Sequence, residues 1–133
     1  MKRHLSDIIG HASEQLVCFD LAKRGFRVVN NPFECSPFDI IAEYKGDLFK
    51  VQVKGTYKPK NKTGGAGQTT QTYRFTYDAE KMLKCDIVAF VAMDIEAVLY
   101  KTPSKIKTTS KGLWVPIKRM EKGCDSELME LIN

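Results

Sequence analysis

The sequence has no apolar run long enough for a helical membrane span, which needs about 20 residues. Its most apolar stretch, Ile87 to Met93, is far shorter. No membrane partner is expected. Met1-Lys2-Arg3 leads into polar residues, not into the apolar core of a secretory signal. Cysteine is sparse: Cys18, Cys35, Cys85 and Cys124 stand far apart, with no CxxC and no Cys/His spacing. That excludes a zinc finger and a disulfide-stapled scaffold, and the four read as reduced thiols, mostly buried. His4 and His11 are the only histidines. They are too isolated for a metal site and read as surface residues. There is no internal repeat, and low complexity is confined to one glycine- and threonine-rich loop. That loop, Gly64-Gly65-Ala66-Gly67-Gln68-Thr69-Thr70, lacks a lysine where Gln68 stands. A strand-like alternation follows it where a phosphate-binding loop needs a helix, so that reading is excluded.

What is present is one domain of 133 residues, 43% hydrophobic, with enough chain for a real core. The single domain spans 1–133, with a core over about 6–100 and a basic extension over about 101–133. A net charge of +5 and a pI near 9.0 favour a polyanionic partner.

The richest stretch runs from Pro37 to Lys54. Residues 38–43 favour a strand. Residues 48–54 alternate, with Leu48, Lys50, Gln52 and Lys54 on one side and Phe49, Val51 and Val53 on the other. That period of two predicts a half-buried strand. Lys45-Gly46-Asp47 supplies the turn of a hairpin. Gln52 and Lys54 then share the face opposite the core, and an antiparallel partner brings Asp39 across from them. Pro37 suits a strand start. An ordinary solvated strand face would look the same.

One carboxylate, one amide oxygen and one ammonium at a point are what holds a hard cation beside a phosphate. Magnesium prefers oxygen ligands and keeps several waters. Asp39 and Gln52 supply two oxygens, and the Val53 carbonyl is a candidate third. Lys54 has no acceptor. It can orient or deprotonate water, or stabilise charge on phosphorus.

Residues 6–24 read as an amphipathic helix, with Ile9, Ala12, Leu16 and Phe19 as its apolar stripe. Ser6 or Asp7 caps its start and Gly25 ends it. Glu14 lies at the border of the stripe, where a carboxylate can face a neighbouring sheet or plain solvent.

Residues 55–72 form a long polar connection, either functional or a mobile surface loop. Read functionally it is a flexible arm against DNA, with Lys58, Lys60 and Lys62 on phosphates and Gln68, Gln71 or Arg74 near base edges. Residues 69–77 alternate as a strand. A short helix over 78–84 is capped by Asp78. Residues 87–93 predict a central strand buried on both faces, with 97–100 as its antiparallel neighbour. Between 101 and 119 there are six basic residues, Lys105 and Lys107 among them, and no acidic one. Such a run binds phosphates or is simply solvated. Residues 114–117 are apolar and pack on the core or at a subunit contact. Residues 125–132 read as a capped C-terminal helix.

Gly10, Glu14, Gly25-Phe26, Pro37-Phe38-Asp39 and Gln52-Val53-Lys54 together resemble the PD-(D/E)xK nuclease superfamily, in its Holliday-junction-resolvase-like branch. The likeness covers about residues 8–95. It implies an α/β fold: a restriction-endonuclease-like α-β-β-β-α-β core with a mixed central sheet flanked by helices. It also implies a catalytic set of Glu14, Asp39, Gln52 and Lys54, with Asp39, Gln52 and Glu14 on Mg2+ (Mn2+ able to substitute) and the lysine acting on water. Gln52 departs from the usual Glu or Asp and removes one negative charge from the ion's shell. The same variant is similar to that of a group I intron homing endonuclease branch found in cyanobacteria.

The resemblance implies a metal-dependent DNA endonuclease, intracellular (cytoplasmic, phage- or intron-encoded) wherever its DNA is. One active site cuts one strand, so duplex cleavage implies a homodimer or tetramer. The Gln variant points to a sequence-specific homing-type enzyme. Small size and the first-helix glutamate equally allow a Holliday junction resolvase. A catalytically inactive DNA-binding module is the rival from another class, favoured by the neutral Gln52.

Overall fold

A computed structural model describes residues 4–33, 36–63, 67, 69–106 and 112–133. The chain opens with helix α1 (Leu5–Lys23). Strands β1 (Arg27–Asn30), β2 (Ile40–Tyr44) and β3 (Asp47–Thr56) follow as an antiparallel meander. β2 and β3 meet through Lys45-Gly46, both at positive φ (50° and 90°), a two-residue turn whose twist matches that of the strands. β4 (Lys60–Thr63) and β5 (Thr69–Thr76) form a second hairpin. Helix α2 (Ala79–Met82) leads into β6 (Ile87–Ala92), which lies parallel to β3, and β7 (Ala97–Lys101) returns antiparallel. A 3-10 turn at Pro103–Lys105, strand β8 (Gly112–Pro116) and helices α3 (Ile117–Lys122) and α4 (Ser126–Ile132) complete the chain.

The strands make a mixed five-stranded sheet, β1-β2-β3-β6-β7, and a three-stranded sheet, β4-β5-β8. Two cores result. Val17 and Leu21 of α1 pack on Val51, Val53, Ile87, Ala89 and Val91. On the other face, Val88, Phe90 and Ala92 meet Tyr73 and Phe75 of the small sheet and Met82 and Met120. β6 alternates between the two cores, which is why its six residues are all apolar and all buried, as its sequence predicts. The β6–β7 pairing and the Asp78 cap, which accepts from the Glu80 and Lys81 amides, also match expectation. Among the described residues no helix is long and apolar enough to cross a membrane.

Several expectations are corrected. On the outer face of β3, Leu48 and Lys50 are exposed as expected, but the face is covered at Gln52, which is only 4% exposed. The buried stripe of α1 is Ser13, Val17 and Leu21, whereas Phe19 is 62% exposed. The helix rotates this way because Gly55 lets it come close. A Cβ on Gly55 would lie 1.9 Å from the Ser13 hydroxyl. Neither Ser6 nor Asp7 caps α1; it starts after His4 with no side-chain cap. Asp125 does not cap α4, because its carboxylate pairs with Arg24 instead. The connection after β3 is no free arm. Lys60 and Lys62 stand on β4, and Gln71 and Arg74 on β5. Beyond residue 101, Ile106, Val115, Met120 and Leu128 are all buried in the two cores. Of the cysteines, Cys85 is buried but Cys18 and Cys124 are only partly so, all three as free thiols. Cys35 lies outside the described residues.

Candidate active site

The site forms where β2 starts beside β3. Ile40 pairs with Val51, so Asp39, one residue earlier, comes level with Gln52. The Asp39 amide donates to the Val51 carbonyl at 2.9 Å. At the next step the main chain of β2 no longer follows β3. The Asp39 carboxylate takes over, and its Oδ2 accepts from the Val53 amide at 2.8 Å. An amide and a carbonyl of one strand residue share an edge, so the Val53 carbonyl faces the gap that β2 leaves. Asn31 clamps the approach: its amide donates to the Asp39 carbonyl at 2.8 Å and its side-chain nitrogen to the Phe38 carbonyl at 3.0 Å.

Gln52 leaves β3 on the face away from α1, in register with Val88. Its Nε2 donates to the Pro37 carbonyl at 3.0 Å. A carbonyl only accepts, so this bond fixes which end of the amide is which. Oε1 is then buried and has no hydrogen-bond partner among the described residues. Leaving such an acceptor bare costs about 1–3 kcal/mol. Cys85 braces the same point, its thiol donating to the Pro37 carbonyl at 3.3 Å. Burial first, then the charges of Asp39 and Asp86, push that thiol up to about 11, against the opposing pull of Lys50 and Lys54. It stays a donor at neutral pH.

Glu14 comes from the α1 side. Burial first, then the negative charge of Asp39 and a hydrogen bond between the two carboxyls, push Glu14 up to about 7. Two carboxyls in contact hold one proton or one cation. Lys54, on the same face of β3 as Gln52, opens onto a cleft of about 610 Å³ that Arg74 and Lys60 also line.

Hydrogen bonds thus link Asp39 to Val53 and to Glu14 and tie Gln52 to Pro37, two residues before Asp39, while Lys54 follows on the Gln52 face of β3. Among the described residues no group of three His, Cys, Asp or Glu side chains could hold a metal. The donor set is mixed: two carboxylates, an orphaned amide oxygen and a main-chain carbonyl. All are hard oxygens, which suits Mg2+. The remaining candidates scatter. Lys60 and Arg74 line the cleft. Lys58 and Gln71 are exposed. Lys105 is paired with Glu130 at 3.1 Å, away from the corner. The side chain of Lys62, and all of Gln68 and Lys107, lie outside the described residues. Sequence reasoning missed Asn31, Cys85 and the Pro37 carbonyl, which hold the ligands in place. Only an asparagine after a short strand hinted at the first, and nothing local marked the others.

No curated protein matches the sequence. Similar folds occur among solved structures, and two of them follow. A bacterial homing endonuclease, I-Ssp6803I, superposes with a TM-score of 0.71 at 13% identity, covering 96% of this chain and 86% of that one. Hjc, a Holliday junction resolvase from Archaeoglobus fulgidus, an archaeal hyperthermophile, gives 0.58 at 15% identity, covering 90% and 93%. At such identities the likeness is one of fold. The sequence pattern of a known family goes further, matching residues 4–128, nearly the whole chain. Together with the mixed sheet and the acid-amide-lysine corner, that match means that this chain belongs to the PD-(D/E)XK endonuclease family.

Proposed function

We propose that this protein is a divalent-metal-dependent DNA endonuclease that hydrolyses phosphodiester bonds at the Asp39 corner. The observation that carries the reading is the Gln52 amide. Its nitrogen is committed to Pro37, its buried oxygen is left bare, and the next residue, Val53, holds the Asp39 carboxylate that is hydrogen-bonded to Glu14. A cation satisfies all three at once. Asp39, Gln52, Glu14 and the Val53 carbonyl would hold one Mg2+, with Mn2+ able to substitute. Bound there, the ion supplies Lewis acidity at the scissile phosphate.

The chain's own residues do the rest. The Val53 amide fixes the Asp39 carboxylate, so one oxygen stays aimed at the corner. Lys54 carries ammonium donors on the side of Gln52. It orients the attacking water or donates to the phosphoryl oxygen that gains charge. The water oxygen gives up a proton and bonds to phosphorus as the bond to the leaving sugar oxygen breaks and that oxygen takes up a proton. Lys58, Lys60, Lys62, Gln68, Gln71, Arg74, Lys105 and Lys107 would supply DNA contacts, mostly to phosphates. A DNA substrate implies an intracellular protein.

A sequence-specific homing-type role is favoured by the Gln variant and by the higher TM-score to a homing endonuclease. Junction resolution is the second reading, favoured by the Hjc likeness, which covers 93% of that chain.

The test is cleavage of supercoiled plasmid, long genomic DNA and a synthetic four-way junction, with Mg2+ or with EDTA. Cleavage should require the metal. Asp39→Ala should abolish it while leaving metal-free DNA affinity nearly intact, and Lys54→Ala should slow it by roughly 10²-fold or more. One long duplex site cut in genomic DNA means homing, and paired symmetrical nicks in the junction mean resolution. Binding without cleavage of any substrate would leave an inert DNA-binding module.

A further inference from the structure

Gly10 has no reason to be glycine inside the protein. It sits well within α1, where glycine costs stability relative to alanine. Its backbone is helical, with no positive φ to require it. A Cβ built on it meets nothing among the described residues within 4 Å. Gly55, close by in space, is different, because Ser13 fills the room a side chain would take. Gly10 faces instead the cleft of about 610 Å³ that lies between α1, the end of β3 and the small sheet. Lys54, Lys60 and Arg74 all line that cleft, and among the described residues no carboxylate does. Arg74 stands directly across the β5–β8 ladder from Trp114, and its guanidinium lies 4.9 Å from the indole centre. Such stacking holds a cation in place without neutralising it. Lys60 faces Thr72, one pleat along on the same side of β5 as Arg74.

We propose that this cleft is a second phosphate subsite, which takes the sugar–phosphate backbone of the cleaved strand one step from the scissile phosphate. Gly10 leaves the α1 backbone bare so that the strand passes against it, and Arg74 and Lys60 hold the phosphate from the opposite wall. Lys54 opens onto both places and sets their order along the strand. The assignment of the neighbouring phosphate as scissile rests on the endonuclease reading above; the cleft's affinity for DNA backbone does not.

The experiment measures binding of the full-length protein to a fluorescein-labelled duplex in Ca2+ over a range of salt, and cleavage in Mg2+ in parallel. Gly10→Ala should raise the melting temperature and weaken binding little. Gly10→Leu should melt no lower than wild type yet bind at least about tenfold more weakly. Arg74→Ala should flatten the dependence of log affinity on log salt by about one unit. A Gly10→Leu protein that binds like wild type, or an Arg74→Ala protein with the wild-type salt slope, overturns the subsite. Should Gly10→Leu melt below wild type, the Arg74→Ala slope alone decides. Wild-type protein that binds as expected but never cuts removes the endonuclease reading and leaves the cleft standing. Cutting that is unaffected in Gly10→Leu removes the cleft and leaves the nuclease. No duplex binding by wild type removes both.

Discussion

Two side chains at the corner carry costs that only a ligand removes. Glu14 is one. Its carboxyl is pushed up to about 7 from an ordinary 4.5, by burial and by Asp39. The folded protein therefore holds a proton between those values that the unfolded chain has lost. Its contribution to stability is complete below pH 4.5 and disappears as pH rises through about 7. Without metal, the melting temperature of wild type should fall relative to Glu14→Gln between pH 5 and 8. Mg2+ should restore more at pH 8 than at pH 5, because the cation replaces the proton. Melting curves in EDTA and in Mg2+ across that range check both statements, and parallel curves for the two proteins would refute them. Gln52 is the other. The amide does two jobs, donating to Pro37 and presenting a bare oxygen. In Gln52→Glu the second improves and the first is lost, with a carboxylate set against a carbonyl. The variant should bind Mg2+ more tightly by calorimetry yet melt lower in EDTA. A variant unchanged in both would show that the amide's two ends are not used as described.

At the scale of elements, the corner depends on how closely α1 lies on β3. Gly55 permits that approach, since a Cβ there would sit 1.9 Å from the Ser13 hydroxyl and 2.7 Å from its Cβ. Gly55→Ala must push the helix away. The expected cost is about 1–3 kcal/mol, with a larger proportional loss of cleavage, since Glu14 moves with the helix. Chemical denaturation and cleavage rates measured on the same protein check it, and full activity in a destabilised Gly55→Ala would mean that Glu14 needs no exact placement. This contact also explains what the sequence concealed. The alternation of β3 is plain in its letters, and so is the apolar character of β6. The face that α1 buries is not, because a serine lies in the seam and a phenylalanine outside it. Which rotation wins is decided by a glycine some forty residues further along the chain. Gln52 misleads in a similar way. It reads as a solvent-facing residue, and it is buried by strands whose pairing with β8 joins residues far apart in the chain. Asp125 looks like a helix cap, but Arg24, just past the end of α1, takes its carboxylate first.

At the scale of the molecule, one chain carries one such corner, and a duplex has two strands. Cutting both implies at least two copies, most simply related by a twofold axis. Light scattering should give two or four times the chain mass of 15.1 kDa. A 15.1 kDa monomer that makes only single-strand nicks would contradict that expectation. The residues proposed for catalysis stand out in the chain because their spacing is local to one hairpin and one helix. The cleft beside them was not, because its walls come from α1, β3 and the small sheet together.

The whole account turns on one cation meeting four oxygen donors from a helix, a strand start and a neighbouring strand. Anomalous scattering from crystals grown in Mn2+ tests that most directly. The expected result is a single strong peak in contact with Asp39 and with Gln52 Oε1, and within reach of Glu14 and the Val53 carbonyl. An empty corner in crystals that bind Mn2+ elsewhere, or a Gln52 amide turned so that its nitrogen faces the peak, would contradict it.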